Sequence, residues 1–490
     1  MSAATARPAA EVVCAGFTGT SAVDAPLNRL KELGIRSVIL FARNVVSAEQ
    51  TRRLCGDLQD MLADDLPAAI AVDQEGGPVA RLHDGVTDLP SMMALGATRN
   101  VELAVRAGRR LGGELRALGI NVDFAPVLDL AIDEANTVIG TRSFGGDPQL
   151  VAEFGAAFAR GLREGGVVPV GKHFPGHGAT HVDSHFALPV LDVDGATWRE
   201  RDLVPFARAV RDGIPALMTA HVVLRALDAE RPATRSPAIL TNVLRNELRF
   251  EGAIFSDCLE MAALGMAPSQ SAPLALAAGV DCVVISHHVE QAAQAIEAIE
   301  RSVRDGDLPE ARLREAAARM RRLRASIVPA GTLQDGDAGI GLEIARAAVS
   351  VLRGSIALRP QSPVTVISFE EGERPSLSAV LRSRGHKSEI MRVGLDPRSD
   401  DVDVLEMVLS GFAARTTVIV TRRAHLHGEQ RDAVNRLLRV SPDAIVVSAR
   451  EPYDAQAFDS ARNLACIYDD GETSIVGLAD VMTGRSATVC

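Results

Sequence analysis

The sequence predicts a TIM-type (β/α)8 barrel followed by a smaller α/β sandwich domain. Three observations carry that expectation. Between about residues 12 and 290, eight short apolar runs alternate with helical patterns. Polar residues recur at the C-terminal ends of those runs, where barrel enzymes gather their chemistry. A Gly/Asp/Pro-rich stretch then precedes a second set of strand-like runs. At 490 residues the chain exceeds what one compact core holds.

In order, the eight runs are "EVVCAGFTG", "RSVILFA", "AAIAVDQEGG", "INVDFAPVLD", "VVPVGKHFPG", "PALMTAHVV", "GAIFSDCLEM" and "VDCVVISHH". Helical periodicity separates several of them, as in "VELAVRAGRRLGGELRALG" and "LVAEFGAAFARGLREGG". Asp73, Asp129, Lys172, His173, His221 and Asp257 fall at or just past strand ends, so a barrel brings them to one face. A doubly wound open sheet is the alternative, and it too places ligands at strand C-termini. Residues 291–326 read as charged amphipathic helices, and "IVPAGTLQDGDAGIG" reads as a linker. The expected division is therefore a barrel over 1–326, a linker over 327–341 and an α/β domain over 342–490. The last carries "VTVISF", "TTVIVTRR", "DAIVVSAR" and "NLACIYD" as strands. It shows no G-x-G-x-x-G after a strand and no Walker A pattern, so a nucleotide site has no support.

Composition excludes several classes. The 47% hydrophobic content allows sizeable cores, and the net charge of -11 exerts no general pull on phosphate backbones or anionic lipid. Nucleic acid and membrane are not expected partners. The six cysteines are scattered without a C-x-x-C pair, which points to thiols of a reducing compartment and sets aside thiolate-built metal clusters. The start resembles a lipoprotein cleavage site at Cys14, but Pro8 and Glu11 interrupt any apolar segment before it, so a cytoplasmic chain is expected. No run of 18 apolar residues is present to span a membrane.

The densest chemistry lies in "GKHFPGHGATHVDSH", residues 171–185, with histidines at 173, 177, 181 and 185 and one of only three lysines, Lys172. Pro175, Gly176 and Gly178 oppose a continuous helix that would stack those imidazoles as metal ligands. A loop-held zinc ion remains an alternative, and structural hydrogen bonding accounts for His177 and His181. Asp183 and His185 are two residues apart, so on extended chain the carboxylate can orient the imidazole and tune it as an acid or base. Asp257 ends an apolar strand run, where an ionised carboxylate needs donors or a substrate. A carboxylate facing a mobile acid/base group is what double-displacement glycoside cleavage requires. For holding a sugar, Asp73 offers an acceptor, Gly76 and Gly77 allow close backbone approach, and Arg81, Arg142, Lys172 and His173 offer donors. Each arginine can instead serve an ordinary salt bridge. Glu75 and Asp129 read as supports behind the ligand-facing residues.

Taken together, "VDQEGGPVARL", "APVLD", "VIGTRSFGGDP", "KHFPGHGATHVDSH" and "FSDCLEM" resemble glycoside hydrolase family 3, specifically its β-N-acetylglucosaminidase branch of two-domain type. The resemblance covers the N-terminal 290 residues and is much weaker beyond. It implies that Asp257 is the catalytic nucleophile, that Asp183 and His185 form the acid/base dyad on a flexible loop after the fifth strand, and that Asp73, Arg81, Arg142, Lys172 and His173 bind the terminal sugar. No cofactor and no metal are implied. Pro78 and Ala179 depart from residues common in relatives and bear on fine specificity. The expected reaction is retaining removal of terminal β-linked N-acetylglucosamine. Phosphorolysis on the same scaffold, a catalytically silent sugar-binding protein and a zinc hydrolase are the competing readings.

Overall fold

The computed structural model describes residues 7–23, 26–180, 188–333, 336–411 and 415–485. Eight parallel strands close into a barrel: β1 (Val13–Gly16), β2 (Ser37–Leu40), β3 (Ala69–Val72), β4 (Val122–Asp123), β5 (Val168–Phe174), β6 (Ala216–Thr219), β7 (Ala253–Cys258) and β8 (Cys282–Ile285). Each lies within one of the eight apolar runs. β8 pairs with β1, with Cys14 opposite Val284, and this pairing closes the ring and rules out the open sheet. Eight helices follow the strands in turn: α1 (Leu27–Leu33), α2 (Ala48–Leu62), α3 (Val101–Ala117), α4 (Pro148–Gly165), α5 (Leu203–Arg211), α6 (Ala238–Glu247), α7 (Pro268–Ala278) and α8 (Val289–Asp305).

Strand alternation sorts the side chains into two layers. Cys14, Ile39, Ala69, Ala71, Phe124 and Phe255 fill the barrel interior, whereas Val38, Leu40, Ile70 and Val72 pack outward beneath the helices. Both faces are buried, which is why the strands read as near-continuous apolar runs. Helix α9 (Glu310–Ala325) plugs the bottom: Met320 and Leu323 join the interior cluster. Its fully buried Arg324 pairs with Glu11 at 2.8 Å and Asp64 at 2.6 Å, residues that precede β1 and β3. With that end filled, the barrel interior opens at its opposite, C-terminal end.

Helix α10 (Ile340–Ala348) bridges to the second unit. Ile340 and Ile344 belong to the barrel's outer cluster, while the Ala345 backbone lies against Gly477 so closely that a Cβ on the glycine would meet it at 2.8 Å. Beyond it, six strands form a sheet: β9 (Ser350–Arg353), β10 (Val364–Phe369), β11 (Ser388–Val393), β12 (Thr416–Thr421), β13 (Ile445–Ser448) and β14 (Asn463–Cys466). Their spatial order is β9-β14-β13-β12-β10-β11, all parallel except the β9–β14 pair. The four interior strands match the four expected runs. The two edge strands were not legible in sequence, because half-exposed edges carry mixed polar and apolar residues: β9 reads SVLR and β11 reads SEIMRV.

Just after β14, Asp469 is buried and accepts a hydrogen bond from Ser474 Oγ at 2.7 Å. Burial pushes its carboxyl up to about 7. The folded state therefore retains a proton that the unfolded chain releases near 3.8, and stability falls as pH rises from about 4 to 7. Asp469→Asn, which keeps an acceptor for Ser474, is expected to gain stability over the parent across that window. The gain should level off above pH 7 at no more than about 4 kcal/mol. Thermal denaturation of both proteins from pH 4 to 8 checks this, and a pH-independent difference would contradict it.

Candidate active site

A cavity of about 540 Å3 opens at the C-terminal end of the barrel. It is lined by Asp73, Arg81, Arg142, Lys172, His173 and Asp257, so these six expected residues, spread over nearly 190 positions of sequence, converge on one site. Among the described residues every lining side chain comes from the barrel, with His287 the last in sequence. Asp183, His185 and His181 lie outside the described residues.

The donors are held by carboxylates behind them. Lys172 Nζ, on β5, sits 2.6 Å from Asp73 Oδ1 and 2.6 Å from Glu75 Oε1. Arg142 places Nε and Nη2 on the two Glu75 oxygens at 2.8 Å each, and its Nη1 donates to the Val138 carbonyl. Burial works to raise the Glu75 carboxyl, but Arg142 and Lys172 outweigh it and hold it far below the usual range. Lys172 is likewise kept charged: burial opposes the ammonium, and Asp73 and Glu75 more than compensate. One ammonium N–H and two guanidinium N–H groups remain beyond these contacts, and Asp73 keeps a second oxygen for hydroxyl donors.

His173 is fixed in the same way. Its Nδ1 lies 2.6 Å from Asp129 Oδ2, while the other Asp129 oxygen accepts the His177 amide at 2.7 Å. Asp129 is buried, but the neighbouring imidazoles and that amide hold its carboxyl below the ordinary value. Its ionised oxygen therefore accepts from His173 Nδ1–H, leaving Nε2 as the ring's remaining polar atom. His177 itself is buried, lines the cavity and bonds Thr180 Oγ1 through Nδ1 at 3.0 Å.

Asp257, the penultimate residue of β7, accepts the Cys258 amide at 2.7 Å. Burial would raise its carboxyl, yet His221, His173, the Cys258 amide and Lys172 together lower it below the ordinary value, so it is ionised near neutral pH. Burial pushes the His221 imidazole down, and its Nε2 donates to the Cys258 carbonyl at 2.9 Å. This bond braces the turn that presents Asp257. The Cys258 thiol is pushed up to about 12, again by burial, and stays protonated.

The structure corrects one expectation. Gly76 and Gly77 do not line the cavity. Both have positive φ, 99° and 54°, and a Cβ on Gly77 would lie 2.6 Å from Ser91 Cα. These glycines serve close packing of the turn on the 89–92 segment rather than approach of a ligand. Sequence reasoning also passed over Phe41, Glu260 and His287, all in the lining. Phe41 and His287 follow β2 and β8, so the strand-end criterion applied to every strand finds them. The two rings stack with centroids 6.1 Å apart, and Arg81 extends its guanidinium over Phe41 at 5.8 Å.

The family model for the glycosyl hydrolase family 3 N terminal domain matches residues 19–323. The chain belongs to glycosyl hydrolase family 3. This family 3 protein is 43% identical over 286 residues to a β-hexosaminidase of Chromobacterium violaceum, covering 57% of the present chain and 78% of that one. It is 40% identical over 289 residues to a β-hexosaminidase of Pseudomonas aeruginosa, covering 58% and 85%. Both alignments are shorter than the 19–323 span of the family match. A solved glycoside hydrolase family 3 β-N-acetylglucosaminidase from Paenibacillus sp. str. FPU-7 superposes with a TM-score of 0.90 at 34% identity, covering 99% of this family 3 chain and 98% of that one. The two-domain architecture is therefore shared in full.

Proposed function

We propose that the protein is a retaining exo-β-N-acetylglucosaminidase. One observation carries the reading: an ionised carboxylate, Asp257, faces a cavity whose polar wall is pre-assembled by Glu75 and Asp129. The cavity volume lies within the range of about 300–1,000 Å3 typical of small-ligand sites. Family membership and the names of the relatives supply the glycosidase class and the sugar.

In this reading Asp73, Arg81, Arg142, Lys172 and His173 hold the terminal N-acetylglucosamine. Asp257 attacks the anomeric carbon while His185, oriented by Asp183, protonates the leaving oxygen. The glycosyl–aspartate ester is then hydrolysed by water from which neutral His185 takes a proton, so two inversions give net retention. Imidazole serves both steps because its unperturbed pKa of about 6.5 lies near working pH. No helix among the described residues is long and apolar enough to cross a membrane. We place the enzyme in the cytoplasm, acting on wall-recycling fragments or imported chitin disaccharides.

Product analysis on a chromogenic β-N-acetylglucosaminide, with and without inorganic phosphate, tests the reading. Free N-acetylglucosamine, released first as the β-anomer at a phosphate-independent rate, is expected. Sugar 1-phosphate as the main product would convert the assignment to a phosphorylase, and binding without turnover would make it a sugar-binding protein. His185→Ala is expected to lower kcat/KM by about 10²–10⁴-fold on substrates with poor leaving groups. Activated aryl glycosides should suffer least, and azide should rescue the variant as a β-glycosyl azide. A uniform loss across leaving groups would remove His185 from the acid/base role.

A further inference from the structure

One wall of the cavity takes no part in the reaction proposed above. Cys258, Glu260 and His287 bring a thiol, a carboxylate and an imidazole together there, with one ligand-capable atom of each within 4.8 Å of the others. Cys258 Sγ lies 3.5 Å and His287 Nδ1 lies 3.0 Å from the same Glu260 oxygen, Oε2. Around a tetrahedral zinc ion with bonds of about 2.0–2.3 Å, the corresponding sulfur–oxygen and nitrogen–oxygen edges are about 3.4–3.6 Å. The third edge, sulfur to imidazole nitrogen, is within 4.8 Å, so side-chain shifts of about 1 Å convert the hydrogen-bonded trio into three ligands of one ion.

A second observation points the same way. The Glu260 side chain is only 10% exposed. Its Oε2 also accepts the Ser286 and His287 amides at 2.6 and 2.8 Å, whereas its Oε1 is buried, has no hydrogen-bond partner among the described residues and is the oxygen left to meet an ion. The only ion-pair partner of Glu260 among them is His287. Leaving a buried carboxylate oxygen without a donor is costly, and a cation offsets that cost.

We propose that Cys258, Glu260 and His287 form a binding site for a soft divalent cation, with zinc the natural match, and that its occupancy reversibly blocks the sugar cavity. Sulfur with imidazole and one carboxylate favours zinc over magnesium or calcium, which prefer all-oxygen shells. On binding, the Cys258 thiol gives its proton to solvent and the sulfur takes the ion in its place, while His287 ligates as the neutral imidazole. A fourth position remains for water. The ion sets positive charge beside Asp257 and weakens it as a nucleophile. It also acts through the backbone, because the Cys258 amide that bonds Asp257 moves with any shift of the thiolate. The C-x-x-C criterion overlooks such a site, since two ligands lie two residues apart and the third arrives from β8, the strand paired with β7.

The blocking step rests on the function proposed above; the binding step does not. Titration of the metal-free full chain with cadmium, read by calorimetry and by the ultraviolet thiolate-to-metal band, is expected to show one ion per chain with that band. Cys258→Ser should abolish the band, and His287→Ala, at a half-exposed position, should weaken binding at least tenfold. Zinc should inhibit the parent reversibly, with chelator restoring activity. The inhibiting concentration should rise at least tenfold in His287→Ala, measured against that variant's own uninhibited rate. Undiminished binding in both variants, as would follow from an ion held by the histidines of 173–185, overturns the site. Binding without inhibition overturns the blocking step.

Discussion

Asp257→Ala is expected to lower kcat by at least about 10⁴-fold while the protein remains folded and still binds N-acetylglucosamine. Asp257 is ionised, lies at the penultimate position of a barrel strand, and among the described residues accepts the amide of its neighbour Cys258. Removing it deletes the atom that forms the glycosyl ester and disturbs little else. Azide distinguishes this variant from loss of the acid/base. Entering the space left by the carboxylate, azide should attack from the opposite face and yield an α-glycosyl azide, where His185→Ala yields the β product. A fall of less than about tenfold, or a β-azide from Asp257→Ala, would end the double-displacement assignment. The pH profile adds a check with a definite sign. Because Asp257 is held below its ordinary value of 3.8, kcat/KM should not lose activity through this group until the pH falls below that value. The alkaline limb should follow deprotonation of the imidazole acid and disappear in His185→Ala.

Glu75→Ala is expected to be the most damaging change to stability within the site. Glu75 is buried and bonded at once to the buried Lys172 and to Arg142, whose side chain is 16% exposed. Deleting the carboxylate leaves Lys172 paired with Asp73 and Arg142 with only the weaker pull of Asp129 and Asp73 among the described residues, and breaking a buried pair in this way costs about 3–5 kcal/mol. Loss of sugar binding should accompany it, since both donors are then free to leave their positions. The sign with pH follows from the depressed carboxyl. Its contribution is fully present above the unfolded value near 4.5 and fades as the pH falls further. The stability difference between parent and variant, measured by denaturant unfolding, should thus be constant from about pH 5 to 8 and narrow in stronger acid. A difference below about 1 kcal/mol at pH 7 would show that Lys172 and Arg142 do not depend on Glu75.

What the sequence determined by itself is what neighbours in the chain encode. Alternation of apolar runs with helical patterns specified eight strands and their helices, because parallel strands buried on both faces must be apolar throughout. The ends of those runs named Asp73, Lys172, His173 and Asp257 as members of one face, since a barrel aligns all its strand termini. The edges of the second sheet were hidden for the converse reason: exposed strands lack a distinctive pattern. Only the tertiary structure decided how charges are shared. Glu75 meets Arg142 across 67 positions of sequence, and that distant contact, with Lys172, makes Glu75 the anchor of the donors rather than one more acidic residue in a turn. Gly76 and Gly77 look like a ligand-facing loop until the 89–92 segment is seen to occupy the space beside Gly77. His287 becomes a neighbour of Cys258 and Glu260 only because β8 pairs with β7. Pattern and local spacing are readable along the chain, whereas the electrostatic balance of a buried site depends on which distant groups displace the same water.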